Sequence, residues 1–140
     1  MSDAPRVTSY GPQDVQEWWQ ARGVEMKIGD VVDHTSDRGS ITVGFARYAA
    51  GAANRWTLTY DEALVITRGR FTVETDDGAH TAQAGEVIVL DRGSDVVYRA
   101  EEESEVVYVT NPHWFQATES SDLAGQLEDY DQVAPPTGVQ

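Results

Sequence analysis

A chain of 140 residues without cysteine suffices for one domain with a single core, and it excludes both a disulfide framework and a Cys-ligated zinc or iron–sulfur site. Its 24 acids against 10 bases give a formal charge of −14, a field that repels nucleic acid and anionic lipid and argues against either as a main partner. No apolar run approaches the length of a membrane span and the first twelve residues lack a basic segment followed by an apolar one, so the expectation is a soluble, cytoplasmic protein.

Residues 1–25 read as an N-terminal arm and short helix. A lead-in over 1–12 precedes Gln13–Gly23, where Val15, Trp18 and Trp19 fall at i, i+3 and i+4 and Gly23 supplies a stop. Trp18 and Trp19 are expected to dock this helix onto a sheet or onto a second subunit. From Met26 the pattern changes to short strands: 26–32, 40–49, 55–67, 70–75, 79–82, 86–90, 96–100 and 105–111. Gly, Asp, Asn and Ser punctuate them, and Asp76-Asp77-Gly78 has the chemistry of a hairpin turn. Residues 26–115 are therefore expected to form an all-β antiparallel sandwich or barrel. After Arg99 there is no Lys or Arg, and 116–140 reads as an acidic tail, with one or two helical turns over Leu123–Leu127 and an end, APPTGVQ, that is disordered or draped over the surface.

The stretch RWTLTYDEALVITRGR, residues 55–70, carries the most chemistry. On a strand Tyr60 and Glu62 share a face with Trp56, Leu58, Leu64 and Ile66, while Asp61 points the other way. A phenol and a carboxylate on an otherwise large, apolar face mark a candidate site.

Two spacings connect this stretch to a known architecture. Glu62 is followed after six residues by Gly69, and Gly85 is followed after five by Asp91, one residue and Gly93. Over residues 40–111 this glycine frame resembles the two motifs of the cupin superfamily, which implies an RmlC-like double-stranded β-helix, or jelly-roll barrel. The metal-binding histidines of that pattern are replaced. The first two positions fall on Trp56 and Leu58, or on Arg55 and Thr57 if the Glu spacing is one longer, and the last falls on Val96. Glu62 alone cannot hold a first-row metal, so no metal and no other cofactor is expected. WTLTYDEALVITRGRFTV, AGEVIVLDRGSDVVY and YVTNPHW are most similar to the EutQ-like ethanolamine-utilisation cupins, a resemblance that implies microcompartment metabolism and an acetate kinase-type activity. The chain has no GxxxxGK[ST] loop and few bases to neutralise a triphosphate.

The residues themselves suggest acid/base chemistry. Burial in an apolar barrel raises the pKa of Glu62 and makes it a usable general acid/base, with Tyr60 beside it to bind or share a proton. Arg47 or Arg55 could hold a substrate carboxylate, and Trp56, His113 and Trp114 complete the expected substrate-binding set. That set suits a metal-independent isomerase, epimerase, lyase or cyclase acting on a small molecule. Three alternatives stand beside it: a non-catalytic ligand sensor, a metallocupin with ligands relocated to His34, His113 and Glu62, and a structural role in which Tyr60 and Glu62 merely satisfy each other. His80, after the hairpin turn, is expected to be exposed. By resemblance the protein is expected to be a homodimer with Trp18 and Trp19 as anchors.

Overall fold

The computed structural model describes residues 5–36 and 38–139, so residues 1–4 of the lead-in, Asp37 and Gln140 lie outside it. In chain order the strands are β1 (Trp18–Ala21), β2 (Met26–Val32), β3 (Thr42–Tyr48), β4 (Ala53–Thr57), β5 (Asp61–Arg68) and β6 (Arg70–Thr75). They continue as β7 (Gly78–Gln83), β8 (Val87–Leu90), β9 (Asp95–Ala100), β10 (Ser104–Asn111) and β11 (Tyr130–Val133). They pair antiparallel into a large sheet, β11-β1-β2-β3-β10-β5-β8, and a small one, β4-β9-β6-β7. This is the all-β cupin fold that the glycine frame implies. Among the described residues no helix is long and apolar enough to cross a membrane.

The core lies between the sheets and follows from strand alternation. β10, central in the large sheet, turns Val106, Tyr108 and Thr110 inward, against inward residues of β3 and β5. From the small sheet Phe71, Val73, Val96 and Ala100 meet them, each at most 2% exposed. Gly69 closes the β5–β6 turn at φ +82°, and a Cβ there would run into the Glu103 carbonyl. The glycine of the Glu62–Gly69 spacing is thus required both by its backbone angle and by close approach.

Three local expectations change. The single strand over 55–67 is two, β4 in the small sheet and β5 in the large one, joined by a corner at 58–60 that is held by Leu58 N donating to Ser94 O and Gly93 N donating to Leu58 O. Its inside–outside phase survives the corner: Trp56, Leu58, Tyr60, Glu62, Leu64 and Ile66 are all buried and Asp61 is exposed. Both sheets face one core, so one alternation serves both.

The short N-terminal helix is a 3₁₀ turn at Pro12–Asp14, and the tryptophans expected on a helix lie on β1 instead. Trp18 pairs with Val133 and Trp19 with Gln132 and Ile28, partners that no local helical period could reveal. Trp18, 2% exposed, packs outside β2, where Gly29 leaves room for it and for Val15.

Beyond β10 the chain keeps regular structure: a helix α1 (Trp114–Glu119), a 3₁₀ segment at Ala124–Asp129, and β11. Thr118 and Pro136 are buried. The final segment drapes over the large sheet, with Lys27 Nζ donating to Ala134 O (2.9 Å) and Arg47 Nη1 to Thr137 O (2.6 Å).

Candidate functional site

A cavity of about 60 Å³ lies between the sheets, and eight of the eleven strands and α1 contribute to its wall. β4 supplies Asn54 and Trp56, the corner Tyr60, β5 Glu62 and Leu64, β6 Phe71 and β9 Tyr98; β3 and β10 add Tyr48 and Tyr108, α1 adds Trp114, and β11 adds Tyr130. The wall is mostly aromatic. Trp56 meets Trp114 and Tyr130 edge-on at centroid distances of 6.0 and 5.7 Å, and Phe71 meets Tyr48 at 4.9 Å.

Among the described residues Glu62 is the one acid in that wall. It is 8% exposed and accepts a hydrogen bond from Tyr98 Oη at 2.6 Å on Oε1, while no described group donates to Oε2. Loss of hydration raises its pKa to about 7, and the Tyr98 hydrogen bond opposes that rise without cancelling it. Tyr60 does not bond to Glu62. It accepts from Trp56 Nε1 at 2.7 Å, and its own proton has no described acceptor. Burial and the nearby Glu62 charge hold the Tyr60 and Tyr98 hydroxyls well above their ordinary pKa, so both stay protonated donors.

A second carboxylate stands behind the wall. Asp30 of β2 accepts from Tyr108 Oη at 2.5 Å and from Trp114 Nε1 at 3.1 Å on each oxygen. Desolvation raises its pKa to about 6 against those two donors, with Asp33 adding to the rise and His34 opposing it. Gly44, opposite Tyr108 on β3, makes this possible, since a Cβ there would overlap the Tyr108 ring. Asp30 also borders a larger outer groove of about 510 Å³ with Asp14, Glu17, Trp19, Asp33 and His34, the last stacked on Phe115 at 5.5 Å. Trp114 and Tyr130 line both spaces and form the partition between them.

Of the residues singled out by sequence, Glu62, Tyr60, Trp56 and Trp114 meet in the cavity wall, and three do not join them. Arg47 faces outward on β3, paired with Glu105 at 3.3 Å, and Arg55 is exposed, paired with Asp95 at 3.6 Å. His113 is buried away from the cavity, its Nδ1 3.0 Å from Thr42 Oγ1 and its Nε2 3.0 Å from Gly39 O. His80 is exposed on β7. Sequence reasoning passed over Tyr98, Tyr108 and Asp30. The signal was present for each: Tyr98 alternates with Val96 and Ala100, Tyr108 with Val106 and Thr110, and Asp30 shares the phase of Met26, Ile28 and Val32, the same pattern that exposed Glu62. Tyr130, in an aperiodic tail, gave no such signal.

A metal does not fit here. Around Glu62 stand phenols, indoles and aliphatic groups, and among the described residues no three His, Asp or Glu side chains converge.

The model of the family described as ethanolamine utilisation protein EutQ matches residues 24–117. This chain belongs to the EutQ family. A crystal structure of an ethanolamine utilization protein Q (EutQ) from Salmonella typhimurium LT2 is 27% identical at TM-score 0.59, covering 63% of this chain and 70% of that one. An RmlC-like cupin from Shewanella frigidimarina NCIMB 400 is 14% identical at TM-score 0.59, covering 77% and 92%. Ectoine synthase from P. lautus is 18% identical at TM-score 0.61, covering 89% and 83%; both likenesses speak to the fold alone. No curated protein matches this sequence. The EutQ match ends before β11, so Tyr130 lies outside the segment shared with the family, whereas Trp114, the other half of the partition, lies inside it.

Proposed function

We propose that this EutQ-family chain binds a small molecule in its barrel cavity and transfers a proton through Glu62, in an isomerase-, epimerase-, lyase- or cyclase-type reaction that needs no metal. The observation that supports this reading is a single carboxyl group with a pKa of about 7 in an aromatic cavity, one oxygen held by Tyr98 and the other open. A group poised near neutrality exchanges a proton in either direction at little cost. Tyr60, with an uncommitted hydroxyl proton, is placed to bind a substrate oxygen. The test needs no substrate. A ¹³C NMR titration of the Glu62 carboxyl should show a midpoint near pH 7, and a midpoint below about 5 removes Glu62 as an acid/base at neutrality. Once a substrate is in hand, Glu62→Gln should keep binding and lose turnover.

We also propose a homodimer, formed by the outer face of the large sheet. Two cross-strand rows there, Phe45-Val107-Val65-Val87 and Val43-Val109-Ala63-Val89, are wholly apolar, with Val87 58% and Val89 71% exposed on the edge strand β8. The net charge of −14 opposes association of two copies, whereas these rows carry no charge, and sheets pack face to face through apolar faces. Sedimentation at micromolar concentration should give a dimer that Val89→Glu dissociates; a monomeric wild type ends the idea.

A further inference from the structure

We propose that the barrel cavity is a site for a small alkylammonium ion, its N–H groups donating to Glu62 and its carbon atoms resting among the rings of Trp56, Tyr60, Phe71 and Tyr98. This rests on the reading of the cavity as a small-molecule site and adds the charge and size of what it takes.

Charge is argued from what the wall lacks as well as from what it holds. No described Lys, Arg or His lines the cavity, so an anionic ligand would enter with no counter-charge and would face Glu62. Glu62 itself has no described cationic partner. A neutral ligand leaves that state unchanged, whereas an ammonium ion supplies the missing charge and donors for the open Oε2. Aromatic rings add to this preference, because their electron-rich faces attract cations and most of this wall is ring carbon. The approach is consistent with the same sign: Asp14, Glu17, Asp30 and Asp33 line the outer groove that shares the Trp114–Tyr130 partition.

Size is argued from volume. A cavity of about 60 Å³ compares with roughly 10–15 Å³ for one water measured the same way, which leaves room for about four or five non-hydrogen atoms. A primary amine with a two- or three-atom substituent fits, and bulky quaternary ions do not. Tyr60 and Tyr130, whose hydroxyl protons have no described acceptor, could take an oxygen on that substituent.

The test is an NMR titration of the full chain with ethylammonium and 2-hydroxyethylammonium, and in parallel with ethanol, acetate and tetraethylammonium. The two primary ammonium ions should shift the Trp56 indole and Tyr98 ring signals, and acetate and tetraethylammonium should not. Affinity should rise about tenfold from pH 6 to pH 8, as Glu62 ionises around pH 7. The other titratable groups of the wall do not imitate this: Tyr48, Tyr60, Tyr98, Tyr108 and Tyr130 are pushed upward and stay neutral, and Asp30, behind Tyr108, titrates about a unit lower. Glu62→Gln, which keeps an acceptor for Tyr98, should lose both the binding and its pH dependence. If that variant binds ethylammonium as well as wild type does, or if acetate or ethanol binds in the cavity in preference to the amines, the charge assignment is overturned while the cavity remains a small-molecule site. If none of the five ligands shifts a cavity signal, the inference and the reading beneath it fall together.

Discussion

Glu62 and Asp30 are the same device used twice with different results. Each is a carboxylate on a strand of the large sheet, in phase with apolar neighbours, and each accepts a short hydrogen bond from a tyrosine on another strand. Asp30 has a second donor in the Trp114 indole, which reaches both its oxygens, and its pKa rises to about 6. Glu62 has Tyr98 alone and an open oxygen, and its pKa rises to about 7. Desolvation lifts both acids by similar amounts from their ordinary values; what differs is the donors, which occupy both oxygens of Asp30 and leave one oxygen of Glu62 open to a ligand.

Removing each acid should break the symmetry most visibly. Asp30→Ala strands the Tyr108 hydroxyl and the Trp114 indole without an acceptor, and should cost about 3 kcal/mol in chemical denaturation. Glu62→Ala strands only Tyr98, beside a cavity that water can enter, and should cost about 1 kcal/mol or less. Equal losses would mean that the donors do not set the ranking.

The pH dependence of stability is of similar size. Both folded pKa values lie above the unfolded ones, so the folded state holds these protons more tightly. The stability so gained is full below the unfolded pKa and lost as pH rises through the folded one. For Glu62 the window runs from about 4.5 to about 7, and for Asp30 from about 3.8 to about 6. Melting profiles of Glu62→Gln and Asp30→Asn, each subtracted from wild type, should each change by about 3 kcal/mol, in windows offset by about a unit.

Smaller effects sharpen the comparison. Tyr98→Phe removes the only described donor to Glu62 and should raise its NMR midpoint by about one unit, whereas Tyr108→Phe should move Asp30 less, because Trp114 still donates. Arg55→Ala, at an exposed ion pair remote from both acids, should change stability by less than about 0.5 kcal/mol and leave both midpoints in place.

The parts of this molecule that depend on two-residue alternation and on turn chemistry were legible from the sequence. The phase of Trp56 through Ile66, the hairpin at Asp76–Gly78 and the Glu62–Gly69 spacing each follow from a local rule, and each is present. What could not be read is what distant partners decide. Val15, Trp18 and Trp19 have helical spacing, yet Trp18 and Trp19 lie on a strand because β2 and β11 flank it. Arg47 alternates outward with Val43 and Phe45, so strand parity alone places its charge on the outer face. Tyr98 and Asp30 were equally visible by parity, and only their convergence with Glu62 and Tyr108 needed the third dimension.

One consequence of the β1–β11 pairing is kinetic. It joins opposite ends of the chain, as in the Arg22–Asp131 contact between residues 109 positions apart, and so it closes one of the longest loops in the molecule. Such contacts carry a large closure entropy and an edge strand of four residues has few bonds to hold it, so β11 should be among the last elements to dock and among the first to fray. Tyr130 leaves the partition whenever it does. The rate at which a ligand reaches Glu62 is then expected to follow the breathing of this last strand, visible as faster amide exchange in β1 and β11 than in β10.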